Sequence, residues 1–198
     1  MDESRLTDAA AKALAGFREG RASCCLTLAL LFEAGRAERA APGDAEAGAG
    51  AEAAVQATGW HRAGAERGHR PCQTLYASAL YAGSGCTRDV GEAARWYRVA
   101  DEAGDGDAAY ALGCMALLGD LGSRADAGEA ARCFARAERA GCALARYPLA
   151  LMAGAGRGVP HDAAEAQRLL ALARLAGVDV AEPFPGLEDL HVHVHPPS

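Results

Sequence analysis

Apolar residues recur with a helical period along most of the chain, and one stretch occurs in three copies. The stretch DVGEAARWYRVADEAG at 89–104 returns as DAGEAARCFARAERAG at 126–141 and as DAAEAQRLLALARLAG at 162–177. In each copy the apolar positions fall at i, i+3, i+4 and i+7, which predicts an amphipathic helix with one buried stripe. A single helix pair leaves one face uncovered, so we expect neighbouring copies to stack as an array.

Residues at the ends of the three copies indicate where each helix begins and ends. In each copy an Asp stands three residues before a Glu, and a Gly closes the stretch. The pairs are Asp89–Glu92, Asp126–Glu129 and Asp162–Glu165, and the glycines are Gly104, Gly141 and Gly177. The spacing predicts a capping box, in which the Asp accepts from a backbone N–H and the Glu reaches back to the cap residue. Since glycine fits the left-handed end of a helix, we expect helices over about 89–103, 126–140 and 162–176.

Further helices are expected before and between these copies. Their apolar period and closing glycines predict helices over 5–19, 22–34, 53–67, 71–82, 107–118 and 143–154. On the shorter helices, Leu75, Leu112 and Leu149 stand 37 residues apart and are aligned as one column. The Gly-, Ala- and Pro-rich stretch 36–52 has no apolar period and is interpreted as a flexible loop.

The repeated unit organises most of the chain as one array rather than as two domains. WHRAGAERG at 60–68 aligns with WYRVADEAG at 96–104, so the early part of the chain is a degenerate copy of the same unit. We expect a single array over 1–177. Its members are a degenerate unit at 22–68, which contains the loop, and clearer units at 71–104, 107–141 and 143–177. The remaining segment, 178–198, is expected to be a flexible tail.

Composition narrows the class of protein without identifying a partner. Aromatic residues make up only 6% of the chain and alanine is abundant, which favours closely packed helices. The net charge of −6 argues against nucleic-acid binding, which usually needs a basic face. The longest apolar run, 24–32, is far shorter than the roughly 20 residues that span a bilayer, so no membrane insertion is expected. The acidic start, MDESRLTDAAAK, differs from a secretory signal, so we expect a soluble cytoplasmic protein with reduced cysteines.

Three stretches of the chain resemble Sel-1-like repeats, a branch of the tetratricopeptide-like helical solenoids. They are GSGCTRDVGEAARWYRVADEAG (83–104), ALGCMALLG (111–119) and GRGVPHDAAEAQRLLALARLAG (156–177). The resemblance implies an all-α fold, namely a right-handed α-α superhelix of about three to four repeats. Family members act mainly as adaptors that hold other proteins, so it also implies an interaction scaffold whose partner is a peptide or a protein helix. One departure from the family pattern is an extra residue in the loop GDLGS.

The inner groove of such an array would be lined by the first helix of each pair. If the column of Leu75, Leu112 and Leu149 faces the partner helix, six other side chains could reach the groove. They are Gln73, Ser78, Tyr110, Met115, Tyr147 and Met152. Tyr and Met suit an adaptable peptide-binding surface. The alternative is that these residues pack against the adjacent repeat, and the sequence leaves both interpretations open.

Two further sets of residues fit the scaffold better than a binding site. Trp60 and Trp96 are of a type that often dominates binding energy, but they occupy the core column of the second helix. Arg95, Arg132 and Arg168 each follow a capping Glu by three residues, which favours solvated ion pairs worth roughly a few tenths of a kcal/mol. A ladder for an acidic ligand is the alternative for these arginines.

Cysteine and histidine suggest a second function from another class, a thiol- or metal-linked assembly or stress factor. Some cysteine-rich members of the resembled family join each helix pair by a disulfide. Cys25 and Cys72 occupy the helix-start column of those members, but the matching second-helix column holds Asp101, Glu138 and Arg174. The disulfide framework is therefore not supported.

The histidines of this second hypothesis stand at the end of the sequence. His191, His193 and His195 alternate with valine, so in an extended chain they would point one way and could bind zinc, copper or nickel. A disordered tail is the alternative. Because no catalytic constellation or phosphate-binding loop is recognisable, we expect neither an enzyme nor a cofactor.

Overall fold

The protein is helical throughout the part of the chain that the structure describes. This structure is a computed structural model, and it describes residues 11–16, 18–23, 25–30, 47–122 and 124–190. Helical residues at 11–16 and 25–30 precede seven longer helices. These are α1 (Ala47–Glu66), α2 (Arg70–Ala82), α3 (Val90–Glu102), α4 (Gly106–Leu118), α5 (Ala127–Arg139), α6 (Arg146–Ala155) and α7 (Ala163–Leu175). A 3-10 turn, Ala143–Ala145, leads into α6. The all-α class is confirmed.

The helices pack as neighbouring pairs within two compact units, which divide between Val99 and Ala100. In the first unit, α1 packs against α2. In the second unit, α4 packs against α5, and α6 packs against α7. The arrangement of 1–177 as one continuous array stays a prediction.

The ends of the repeated helices follow the predicted caps, with one difference. The amides of Glu92, Glu129 and Glu165 donate to Asp89, Asp126 and Asp162 at 2.8, 2.9 and 2.9 Å. The closing glycines Gly104, Gly141 and Gly177 have φ angles of +83°, +92° and +77°. The predicted capping box requires each glutamate side chain to reach back to the Asp. The glutamate side chains instead accept hydrogen bonds from side chains one turn further along the helix. Their donors are Trp96 for Glu92, Arg132 for Glu129 and Arg168 for Glu165.

Small residues let the helices of the second unit approach closely. Phe134 of α5 is fully buried against Gly113 of α4, where an added Cβ would lie 2.6 Å from the ring. Leu151 and Met152 of α6 extend the same apolar cluster. The core of this unit is therefore built on an aromatic ring seated over a glycine, and a larger residue at 113 would force the two helices apart.

Two boundaries differ from the expectations. Helix α1 begins at Ala47, six residues before the predicted 53, because the alanines of AGAGAEA outweigh the low helix propensity of its glycines. The predicted flexible tail also differs over 178–190, where Phe184 and Leu187 are buried in the apolar cluster of the second unit. Residues 31–46 and 191–198 lie outside the described residues.

Candidate interaction surfaces

An aromatic surface lies on the first helices of the two pairs in the second unit. Tyr110 of α4 and Tyr147 of α6 are both partly buried at the edge of the apolar cluster. Burial raises the pKa of both phenols above the ordinary tyrosine value, so both hydroxyls stay protonated into the alkaline range as hydrogen-bond donors. The Tyr147 hydroxyl donates one, to the backbone carbonyl oxygen of Glu182 at 2.9 Å. Of the six predicted groove residues, Tyr110 and Tyr147 are the two partly buried ones that the structure brings together at one surface.

A third aromatic residue, Phe184, lies between the two tyrosines. Its ring centroid is 6.4 Å from that of Tyr110, 6.2 Å from that of Tyr147 and 5.9 Å from that of Phe134. All three contacts are edge-to-face, an arrangement that aromatic rings favour because ring edges are positive and ring faces negative. The segment that carries Phe184 therefore occupies the aromatic surface.

Three of the six predicted groove residues are buried and present no surface to a partner. Met115 and Met152 are 2% and 0% exposed, and Gln73 is 5% exposed. A register error explains the placement of Gln73 in the predicted groove column with the two tyrosines. Six positions separate Gly83 from Asp89 and Gly156 from Asp162, but seven separate Gly119 from Asp126.

The extra residue in the middle loop shifts the first helices by one position relative to the second helices. When the glycines that end the first helices are aligned, Tyr110 corresponds to Thr74 and Leu112 to Tyr76, which is buried. Leu75 therefore does not belong in the assumed column, in which Leu112 and Leu149 still align. Leu75 is 38% exposed and Leu112 is 3% exposed.

The first unit carries a separate, shallow cleft. It lies between α1 and α2, has a volume of about 160 Å³ and includes the exposed predicted residue Ser78. Leu75 and the buried His61 also line it. Thr58 and Ser84 line the same cleft. The Thr58 hydroxyl donates to the carbonyl oxygen of Ser84 at 2.8 Å, and this hydrogen bond holds the loop after α2 against α1.

The aromatic and basic columns of the second helices have scaffold roles in the structure. Trp96 is half-buried and packs edge-on against Tyr76, with ring centroids 5.8 Å apart. Trp60 is also half-buried. Arg132 and Arg168 form exposed ion pairs with Glu129 and Glu165 at 2.6 and 2.7 Å. These arginines are therefore already engaged within their own helices.

Four thiols, of which Cys72, Cys133 and Cys142 are buried and Cys114 is half-buried, have pKa values far above neutral pH. Burial raises the pKa of Cys72 to about 12 and those of Cys114, Cys133 and Cys142 to about 11. A protonated thiol is a poor nucleophile and a poor metal ligand. These cysteines therefore act as small apolar core residues, as expected for Cys133.

No group of three or more metal-ligating side chains occurs among the described residues. The predicted metal ligands His191, His193 and His195 lie outside them. The metal hypothesis thus stays a prediction for the end of the chain. Within the same described ranges, no helix is both long and apolar enough to cross a membrane.

Sequence reasoning missed Phe184, Leu187 and Arg157. Phe184 and Leu187 enclose a Pro-Gly pair, which is a signal for a turn with two apolar ends. Arg157 forms an ion pair with Asp189 at 2.9 Å. The turn signal was available in the sequence, but nothing in it indicated which surface the turn would contact.

Solved structures similar to this chain are helical repeat proteins. The crystal structure of a Sel1 repeat protein from Oxalobacter formigenes matches with a TM-score of 0.70 and 25% identity, covering 85% of this chain and 64% of that one. A protective antigen of uropathogenic Escherichia coli strains, with an SLR fold, matches with a TM-score of 0.59 and 24% identity, covering 81% and 39%. The chain thus spans less than two thirds of either structure. No family model and no curated protein matches it.

Proposed function

We propose that this chain, whose fold is that of the Sel1-like repeat proteins, is a non-enzymatic interaction scaffold that binds a segment of another protein. The observation that carries the proposal is the aromatic surface of Tyr110 and Tyr147, against which the segment that carries Phe184 packs. Tyrosines supply large, rigid contact area with a polar tip, which is typical of protein-binding surfaces. A protein or peptide partner fits this surface, and a cytoplasmic location remains part of the proposal.

Burial of the thiols argues against the thiol-linked alternative for the core cysteines. The cysteines with strongly raised pKa values are at least half-buried, and burial keeps their thiols protonated and therefore poorly reactive towards oxidants and metals. The scaffold hypothesis, in contrast, needs no reactive thiol.

The proposal is tested by affinity capture from the native cell with matched variants. Tyr147→Lys places a charge on the aromatic surface, and Leu175→Lys places the same charge on a side chain of α7 that is 84% exposed. Tyr147→Lys should lose a specific partner that wild type and Leu175→Lys both retain, with helical circular dichroism unchanged in all three. Retention of every partner by Tyr147→Lys would refute the aromatic surface as the binding site.

A further inference from the structure

The segment on the aromatic surface is a β-turn with two apolar anchors. The Leu187 amide donates to the carbonyl oxygen of Phe184 at 2.9 Å, and Gly186 between them has a φ of +79°. Pro185 followed by a glycine of positive φ is the signature of a type II turn. The turn lets the side chains of Phe184 and Leu187 pack into the same apolar cluster.

The anchors are buried while the rest of the segment is exposed. Phe184 is 7% exposed and Leu187 is 0% exposed, whereas Glu182, Pro183 and Pro185 are exposed. Gly186 lies against Leu117 of α4, where an added Cβ would be 3.1 Å from the Leu117 Cβ. A close backbone approach with two inserted side chains is how a short peptide fills a groove.

Polar contacts surround the anchors at the rim. Tyr147 donates to the Glu182 carbonyl oxygen before the turn, and Arg157 pairs with Asp189 after it. Both members of the ion pair are solvent-accessible, at 37% and 73%. Buried anchors inside a polar, exposed rim are the anatomy of a protein–peptide interface.

We propose that residues 182–189 are an intramolecular ligand, and that the partner is a polypeptide with the same turn: an aromatic residue, Pro-Gly, a leucine and then acids. This inference rests on the proposed function and specifies its partner. The partner would exchange with the chain's own segment, insert its aromatic side chain beside Tyr110 and Tyr147 and its leucine into the same apolar cluster, and place an acid on Arg157.

The first test is binding of a labelled synthetic peptide with the sequence of residues 181–190, AEPFPGLEDL. The full-length double variant F184A/L187A, whose own segment has lost both anchors, should bind this peptide at least ten-fold more tightly than wild type, measured by fluorescence anisotropy. A peptide with alanine at both anchor positions should bind neither protein. Adding Tyr147→Phe to the double variant should weaken binding about three-fold, because the bond to the Glu182 carbonyl is lost.

A double variant that keeps its helical circular dichroism and binds no peptide overturns the proposal. Dimerisation of wild type through exchanged segments, seen by light scattering, would also contradict it, since the occupant would then be a second copy. Adding Leu175→Ala instead of Tyr147→Phe is the matched control and should leave peptide affinity unchanged.

Hydrogen exchange of wild type decides the question if the double variant unfolds. The Leu187 and Leu190 amides, which donate within the segment, should exchange at least ten-fold faster than the core amides of α4, because the segment opens locally. Exchange of both sets at one common rate would mean that the segment leaves only on global unfolding, and would overturn the proposal.

The two proposals fail in distinguishable ways. If the peptide binds but Tyr147→Lys loses no cellular partner, the aromatic surface is a peptide-binding site and its scaffold function is refuted. Partner loss in Tyr147→Lys with no peptide binding would keep the scaffold and reject this class of ligand.

Discussion

At Gly113 the backbone of α4 touches the ring of Phe134, and this contact sets the spacing of the helix pair. A methyl group at this position would lie 2.6–2.9 Å from three ring carbons of a fully buried side chain. Gly113→Ala should therefore lower the free energy of unfolding by about 1–3 kcal/mol, as overpacking does, despite the better helix propensity of alanine. Urea denaturation followed by circular dichroism measures this change.

Gly59 is the matched control for that substitution. It lies inside α1, and no atom is within 4 Å of an added Cβ. Gly59→Ala should therefore raise stability by about 0.5–1 kcal/mol through helix propensity alone. Equal effects of the two substitutions would mean that the contact between Gly113 and Phe134 does not limit helix spacing.

The buried Cys133 thiol should make the protein less stable in alkali. Burial raises the pKa of Cys133 from 9.0 to about 11. Above pH 9 the unfolded chain loses this proton before the folded chain does, so stability is complete below pH 9 and is lost up to about pH 11. The slope is at most about 1.4 kcal/mol per pH unit for one thiol.

Urea titrations between pH 8 and 11 measure this loss. Cys133→Ala should show a shallower alkaline decline than wild type, because its folded and unfolded states no longer differ at that site. Cys86→Ala, at a half-buried position, should change the decline less. An identical pH profile for Cys133→Ala and wild type would show that the thiol is not buried in solution.

Single residues also show what the sequence could and could not predict. Asp126, Asp162 and the closing glycines were predictable because capping depends on local spacing alone. The face of Gln73 was not predictable in the same way. A helix turns by about 100° per residue, so the one extra residue between Gly119 and Asp126 was enough to misassign a face.

At the scale of the element, the capping aspartates hold the ends of α5 and α7. The Glu129 amide donates to Asp126, and the Glu165 amide donates to Asp162. Asp126→Ala or Asp162→Ala should cost about 1 kcal/mol each, because one backbone donor of the first turn loses its acceptor. Asp126→Ser keeps an acceptor and should cost much less; thermal unfolding of the three variants compares them.

The helices themselves were predictable, and the segment after them was not. Bounds such as 71–82 and 107–118 agree with α2 and α4 to one residue, because periodic apolar positions and closing glycines coincide there. Residues 178–190 have no period, and their order comes from contacts between Phe184 and rings on α4, α5 and α6. Contacts of that kind depend on tertiary structure, which a local pattern does not contain.

At the scale of the whole molecule, we expect the two compact units to unfold together. The sequence predicts one continuous array over 1–177, and coupled repeats unfold cooperatively when each stabilises its neighbour. The chain has two tryptophans, Trp60 and Trp96, and both lie in the first unit. Tryptophan fluorescence therefore reports on the first unit, while circular dichroism reports on all helices.

Gly113→Ala, which acts in the second unit, distinguishes the two possibilities. If the chain is one array, its urea midpoint should fall by the same amount in fluorescence and in circular dichroism. Gly64→Ala is the converse variant, since an added Cβ would lie 2.6 Å from the Cys72 Sγ in the first unit, and it too should shift both signals equally. A fluorescence midpoint that stays at its wild-type value in Gly113→Ala, with a biphasic circular dichroism curve, would mean that the units unfold independently and that the single array is wrong.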